Sequence, residues 1–169
     1  MIIFFRFECH LDLKPENILL KEGGGVAICD FGSCWEGCRV KVEDYRQCVE
    51  IEEFAEKNST LQYRAPELCM VKEGSEISEK VDIFGLGGVV FGIMSHISPF
   101  TKVEMQGGSP KIAILGGKYE WEPKAVQFYS EQVRKLVDSM LITDPSLRPS
   151  ANQIIFSIHS LLQQRQTSL

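Results

Sequence analysis

The chain has 169 residues, of which 44% are hydrophobic and 24% charged, enough for one domain with its own core and ordinary for a globular fold. A net charge of −5 excludes a broad basic surface, which argues against nucleic acid or an anionic membrane as the main partner. The six cysteines do not follow the spacing of a secreted disulfide framework, so a reducing, intracellular and cytoplasmic setting is expected.

In chain order, the apolar start Met1 to Phe5 is too short for a secretory core or a membrane span. Ile18 to Leu20 and Val26 to Cys29 predict two short strands, joined by a turn at Gly23-Gly24-Gly25 where positive φ comes without steric cost. The polar stretch from Gly32 to Ser59 predicts a long loop with one short helix near Glu50 to Lys57. From Ser78 onward the pattern is helical. Ser78 or Asp82 is placed to cap an apolar helix whose run from Ile83 to Met94 suits a buried core helix. Val133, Leu136, Val137, Met140 and Leu141 recur at helical spacing, with Lys135 and Asp138 assigned to the other face. Ser150 and Gln153 form a capping box, and Ile154, Ile155, Ile158, Leu161 and Leu162 make one apolar stripe behind it.

The segment that carries chemistry is His10-Leu11-Asp12-Leu13-Lys14-Pro15-Glu16-Asn17. Its bland reading is a polar turn opened by Pro15. Its chemical reading is a carboxylate, a cation and an amide closely spaced. Those groups suit a hydroxyl nucleophile attacking a phosphoryl group: a proton acceptor, a charge for the phosphate and a neutral oxygen for Mg²⁺. Asp30-Phe31-Gly32 at a strand end adds a second carboxylate beside a residue that can turn sharply. Tyr63-Arg64-Ala65-Pro66-Glu67 and Leu147-Arg148-Pro149 follow, and Glu67 and Arg148 mean nothing as a pair on sequence alone.

Taken in order, HLDLKPEN, DFG, YRAPE, DIFGLG and LRP resemble the C-terminal half of a protein kinase, from His10 to about Leu162. Within that family, DFGS, the run Asn58 to Glu67 and Ser109-Pro110-Lys111 with Gly117-Lys118-Tyr119 resemble the Numb-associated kinases. The resemblance implies an α+β, mainly helical fold over residues 1–169, a kinase-like C-terminal lobe without the N-terminal β-lobe. Its catalytic loop would span 10–17, its activation segment 30–67 and its helical remainder 78–163. It implies ATP and Mg²⁺ as cofactors and Ser/Thr side chains of proteins as substrate. Asp12 would accept the substrate proton and Lys14 would contact the γ-phosphate. Asn17 and Asp30 would hold Mg²⁺, and Thr60 would lie in the substrate loop. Glu67 would pair with Arg148 in the interior, and Asp82 would brace the catalytic loop.

Three departures from the family stand out. No glycine-rich nucleotide loop, ATP-contacting lysine or partner glutamate precedes His10, so this chain alone is expected to be inactive, and the alternative reading is a kinase-fold remnant that binds partners. Leu11 stands where most such kinases carry an arginine that reads activation-loop phosphate, so that control is expected to be lost. Gly85 and Gly88 are expected to loosen the central helix by about 0.5–1 kcal/mol each relative to alanine. Zinc binding is disfavoured because Cys29, Cys34, Cys38 and Cys48 form no CxxC pair, and Trp35 and Trp121 show no stacking pattern for nucleic acid. Substrate identity and oligomeric state are not encoded in these motifs.

Overall fold

A helix apolar on nearly all sides must be surrounded by other elements, and α3 (Lys80–Ser95) is such a helix. Val81, Ile83, Phe84, Val89, Phe91 and Met94 are all buried along it. The computed structural model describes residues 7–36 and 39–166. The apolar start and Cys38 lie outside the described residues.

Around α3 the chain is α+β and mainly helical. Before it come β1 (Phe7–Cys9), β2 (Ile18–Leu20), β3 (Val26–Ile28), β4 (Trp35–Glu36), β5 (Val40–Lys41), α1 (Tyr45–Asn58), α2 (Pro66–Cys69) and β6 (Glu76–Ile77). After it come α4 (Thr101–Met105), α5 (Pro110–Leu115), α6 (Pro123–Phe128), α7 (Glu131–Met140) and α8 (Ala151–Gln166). The described strands pair antiparallel as β1 with β4, β2 with β3 and β5 with β6. The expected hairpin is β2–β3, with Leu19 opposite Ala27, and Gly23 and Gly24 take φ of +88° and +93° in its turn.

Several expectations need correction. The helix expected near Glu50 to Lys57 is much longer: α1 begins after Asp44, whose side chain accepts from Gln47 N at 2.9 Å. The helix is polar overall and buries only a narrow stripe, Cys48, Ile51 and Ala55, which hid it from a search for apolar periodicity. Neither Ser78 nor Asp82 caps α3. Glu79 precedes the helix without a side-chain cap, and the Asp82 carboxylate is turned to the loop after β1. Asp138 does not face water with Lys135: it accepts from Tyr119 Oη at 2.7 Å and Trp121 Nε1 at 2.9 Å. The Ser150–Gln153 box forms in both directions, at 2.7 and 3.3 Å. The stripe behind it is mostly open, with Ile154 buried but Ile155, Ile158 and Leu162 exposed. Helix α8 packs mainly against α7, which covers only part of such a stripe.

Gly85 and Gly88 serve contact. A Cβ at Gly85 would lie 3.2 Å from Leu13 Cβ and 3.3 Å from Leu13 O, and one at Gly88 would lie 3.0 Å from Tyr63 Cδ1. The missing methyls let Leu13 and Tyr63 rest directly on α3. Cys9 is disulfide-bonded, which the expectation of a reducing compartment did not include, whereas Cys29, Cys34, Cys48 and Cys69 are free. No helix among the described residues is long and apolar enough to cross a membrane.

Candidate active site

The loop after β1 is fixed from below by α3. His10 N and Leu11 N donate to the two carboxylate oxygens of Asp82 at 2.6 and 2.8 Å. Burial pushes the Asp82 carboxyl up, and these two N–H groups only partly oppose it. On the other side Ser33 Oγ donates to His10 O at 2.8 Å, and His10 Nε2 lies 3.0 Å from Cys29 O. With Nε2 donating to that carbonyl, Nδ1 is the acceptor for Asp12 N at 3.4 Å, which selects the Nε2–H tautomer. Leu11 takes φ +67°, a left-handed conformation uncommon for a residue with a Cβ, while its side chain is buried.

This backbone delivers Asp12 to a charged cluster. Asp12 Oδ2 accepts from Lys14 Nζ at 2.6 Å and from Asn17 Nδ2 at 3.3 Å, and Asp12 Oδ1 accepts from Thr60 N at 2.8 Å. Lys14 Nζ also donates to Thr60 Oγ1 at 3.0 Å. Burial raises the Asp12 carboxyl, but the Lys14 ammonium and the Thr60 hydrogen bonds outweigh it and hold the group below its usual range. Asn17 is buried in the turn over Pro15–Asn17, and its Nδ2 also donates to Asp12 O at 2.9 Å. With its nitrogen committed to Asp12, the amide oxygen is the atom free to act as a ligand.

Asp30 arrives from the hairpin. Cys29 N donates to Asn17 O at 2.9 Å, so the backbones leading to the two candidate ligands are joined. Asp30 is exposed, sits at φ +62° and uses Oδ1 only weakly, on Gly32 N at 3.4 Å. One exposed carboxylate and one amide oxygen are too few for an all-protein metal cage. They suit Mg²⁺, which keeps waters and takes further oxygens from phosphates. No group of three or more His, Cys, Asp or Glu among the described residues could hold a metal ion.

The structure thus joins Asp12, Lys14, Asn17 and Thr60 directly, sets Asp30 beside them and Asp82 beneath. A cavity of about 500 Å³ opens alongside, lined by Glu16, Thr60, Tyr63 and His96 among others. Glu67 and Arg148 lie apart from this cluster, joined by two hydrogen bonds of 2.7 Å. Ser33 and Arg64 belong to motifs read in the sequence, but neither is given a role there. Ser33 shows only that a small hydroxyl follows DFG, and the burial of Arg64 has no local signature.

Comparison with known proteins supplies the family. Residues 3–158 match the protein kinase domain. The chain is 36% identical to the serine/threonine-protein kinase ppk13 of Schizosaccharomyces pombe, over 92% of this chain and 44% of that protein. It is 33% identical to serine/threonine-protein kinase 16 of Mus musculus, over 90% of this chain and 48% of that protein. It is 34% identical to actin-regulating kinase 1 of Saccharomyces cerevisiae, over 91% of this chain and 23% of that protein. The chain therefore spans less than half the length of these relatives, and within that span it belongs to the eukaryotic protein kinase family.

Proposed function

We propose that this chain carries the catalytic loop (10–17), activation segment (30–67) and helical remainder (78–163) of a serine/threonine protein kinase that transfers the γ-phosphoryl group of Mg·ATP to protein hydroxyls. The observation that carries the reading is the Asp12 carboxylate held between Lys14, Asn17 and Thr60. Mg·ATP, when bound, supplies the phosphoryl group and the metal charge that stabilises it. Asn17 and Asp30 are the residues that would hold the metal.

The chain's own residues then have defined tasks. Asp12 orients the substrate hydroxyl and accepts its proton. A carboxylate held below its usual range is a weak base, so the proton moves late, and positioning contributes more than deprotonation. Lys14 bridges Asp12 and Thr60 and brings a positive charge to where phosphate oxygens gather. Thr60 ties the substrate loop to the base through its N–H. Glu67, Arg148 and Asp82 position these groups.

The test uses the full-length protein with Mg·ATP and a mixture of Ser/Thr peptides. Asp12→Asn should lower turnover by about 10²–10⁴-fold, the range for losing a general base. It should leave Mg·ATP binding in place, whereas Asp30→Asn should abolish the Mg²⁺ dependence of nucleotide binding in calorimetry. Equal turnover of Asp12→Asn and the parent would remove the proposal.

A further inference from the structure

A cavity of about 280 Å³ lies between α1 and the strands β4 and β5, lined by Trp35, Val40, Gln47, Glu50, Ile51 and Phe54. Ile51 is buried, and the Trp35 and Phe54 rings, with centroids 5.5 Å apart, supply an aromatic wall. Glu50 is the carboxylate on this lining, and Gln47 has its amide oxygen taken by Glu43 N at 2.8 Å. Glu50 Oε1 accepts from Arg46 Nε at 3.0 Å, with side chains 61% and 87% exposed. A pair so open to water contributes little and is readily exchanged for a better one.

We propose that this cavity docks an arginine side chain from a basic segment of a partner protein. Its volume falls below the roughly 300–1,000 Å³ of small-molecule and cofactor pockets, so it suits a single side chain. A guanidinium matches the lining: it stacks on aromatic faces, pairs with a carboxylate through a planar fork and is weakly hydrated. The aliphatic stem of the arginine would lie along Val40 and Ile51. Arg46 already shows that Glu50 accepts a guanidinium, and a partner's arginine would take its place with the rings as an added contact. The surroundings select a basic segment. Between Glu43 and Lys57 the sequence has six carboxylates against two cations, and Glu43, Glu50 and Glu53 are exposed.

The rival description is an acidic helix face that is simply solvated. Such a face attracts lysine and arginine alike, and its pull is shared among all its carboxylates. A docking site prefers arginine, because only the guanidinium both stacks and forks, and it depends on Glu50 more than on Glu53, which is exposed on α1 but does not line the cavity. The two descriptions also differ at the cations. Arg46 and Lys57 are both exposed on α1, and neutralising either changes the net charge equally. Only Arg46 occupies Glu50, so only its removal also vacates the site.

The experiment measures binding alone, so it stands or falls apart from the proposed phosphoryl transfer. A fluorescein-labelled peptide of alternating glycine and arginine, and its lysine counterpart, are titrated with full-length protein and followed by anisotropy at low salt. The arginine peptide should bind in a saturable way and about two- to fivefold more tightly than the lysine peptide, the factor for an exposed cation–π contact. Glu50→Gln should weaken it by about two- to fivefold, and Glu53→Gln by less. Arg46→Gln should tighten binding more than Lys57→Gln does. Phe54→Leu should remove the preference for arginine. The four charge variants sit at exposed positions, so they decide the matter even if Phe54→Leu fails to fold. Equal affinity for the two peptides, equal effects of Glu50→Gln and Glu53→Gln, or no saturable binding overturns the proposal. Self-association of the peptide-free protein that Glu50→Gln disrupts would seat a second copy in the cavity and overturn it as well.

Discussion

Replacing Glu67 by alanine would leave the Arg148 guanidinium buried without its anion. In the parent, Arg148 Nη1 and Nη2 each donate to Glu67 at 2.7 Å. The same side chain also donates to Ile142 O, Lys80 O and Thr143 O, and its Cζ lies 5.0 Å from the centre of the Phe84 ring. Removing one partner of such a pair costs roughly 3–5 kcal/mol. Arg148→Ala should cost at least as much, because it strands three backbone carbonyls as well as Glu67, at about 1–3 kcal/mol for each group left unpaired. In the double variant the stranded charge is gone, so its cost should fall below the sum of the single costs by about 2–3 kcal/mol. Urea unfolding of the full-length protein, followed by the fluorescence of Trp35 and Trp121, measures this. With an m-value of about 1–3 kcal/mol/M, the Glu67→Ala midpoint should move by roughly 1–5 M. A loss below about 1 kcal/mol, or strict additivity, would refute the assignment of a buried, coupled pair.

Four further substitutions test other contacts. Asp82→Asn turns an amide NH₂ toward a backbone N–H, so it should lower stability by about 1–3 kcal/mol in thermal melts, and a melt like the parent's would contradict the brace. Gly85→Ala should destabilise, since about 0.5–1 kcal/mol of helix propensity is outweighed by about 1–3 kcal/mol of overpacking against Leu13. Gly92→Ala, whose Cβ would meet nothing closer than 3.9 Å, should stabilise by about 0.5–1 kcal/mol, and equal signs at the two sites would dismiss the packing argument. The Asp12 carboxyl is held below its unfolded value, so its contribution is full above that value and fades as pH falls through the folded one. Melting temperatures of the parent and Asp12→Asn should therefore converge on acidification below about pH 4, and parallel profiles down to pH 3 would count against the Lys14 and Thr60 contacts.

Much of the site was legible because its chemistry is local. Asp12, Lys14 and Asn17 lie within one short loop, and a five-residue reach with a proline turn is readable as a motif. The hairpin was legible for the same reason, since three glycines between two apolar runs leave few alternatives. Other features were hidden because their causes are distant in sequence. On local pattern alone Asp82 looks like a helix-cap candidate, and only the family resemblance pointed to its bonds with the loop after β1. Gly85 and Gly88 read as weak points because propensity is intrinsic to the helix, whereas Leu13 and Tyr63 reach them from elsewhere. Helix α1 was under-read because its buried stripe is narrow, although Asp44 with Gln47 is the same kind of start signal that succeeded at Ser150 with Gln153. The stripe on α8 was over-read because periodicity says which residues share a face and does not say whether anything covers it.

Several of these contacts converge on the left-handed backbone at Leu11. A non-glycine residue there costs about 1–2 kcal/mol locally, so the surroundings must over-determine it. The N–H groups of His10 and Leu11 are taken by one half-buried carboxylate, that of Asp82, His10 O is held by Ser33, and Leu13 is seated on a glycine of α3. None of these contacts touches the Asp12 carboxylate, yet together they fix the direction in which it leaves the loop. Leu11→Gly separates the two contributions. It relieves the strain but removes a buried leucine side chain, which costs about 2–5 kcal/mol when truncated to alanine. The balance should be a net loss of stability. The same substitution frees the backbone, so the carboxylate of Asp12 should lose definition, and turnover of the full-length protein in the proposed phosphoryl transfer should fall by more than the unfolded fraction explains. Turnover that tracks the folded fraction alone would show that the strained conformation is incidental to the placement of Asp12.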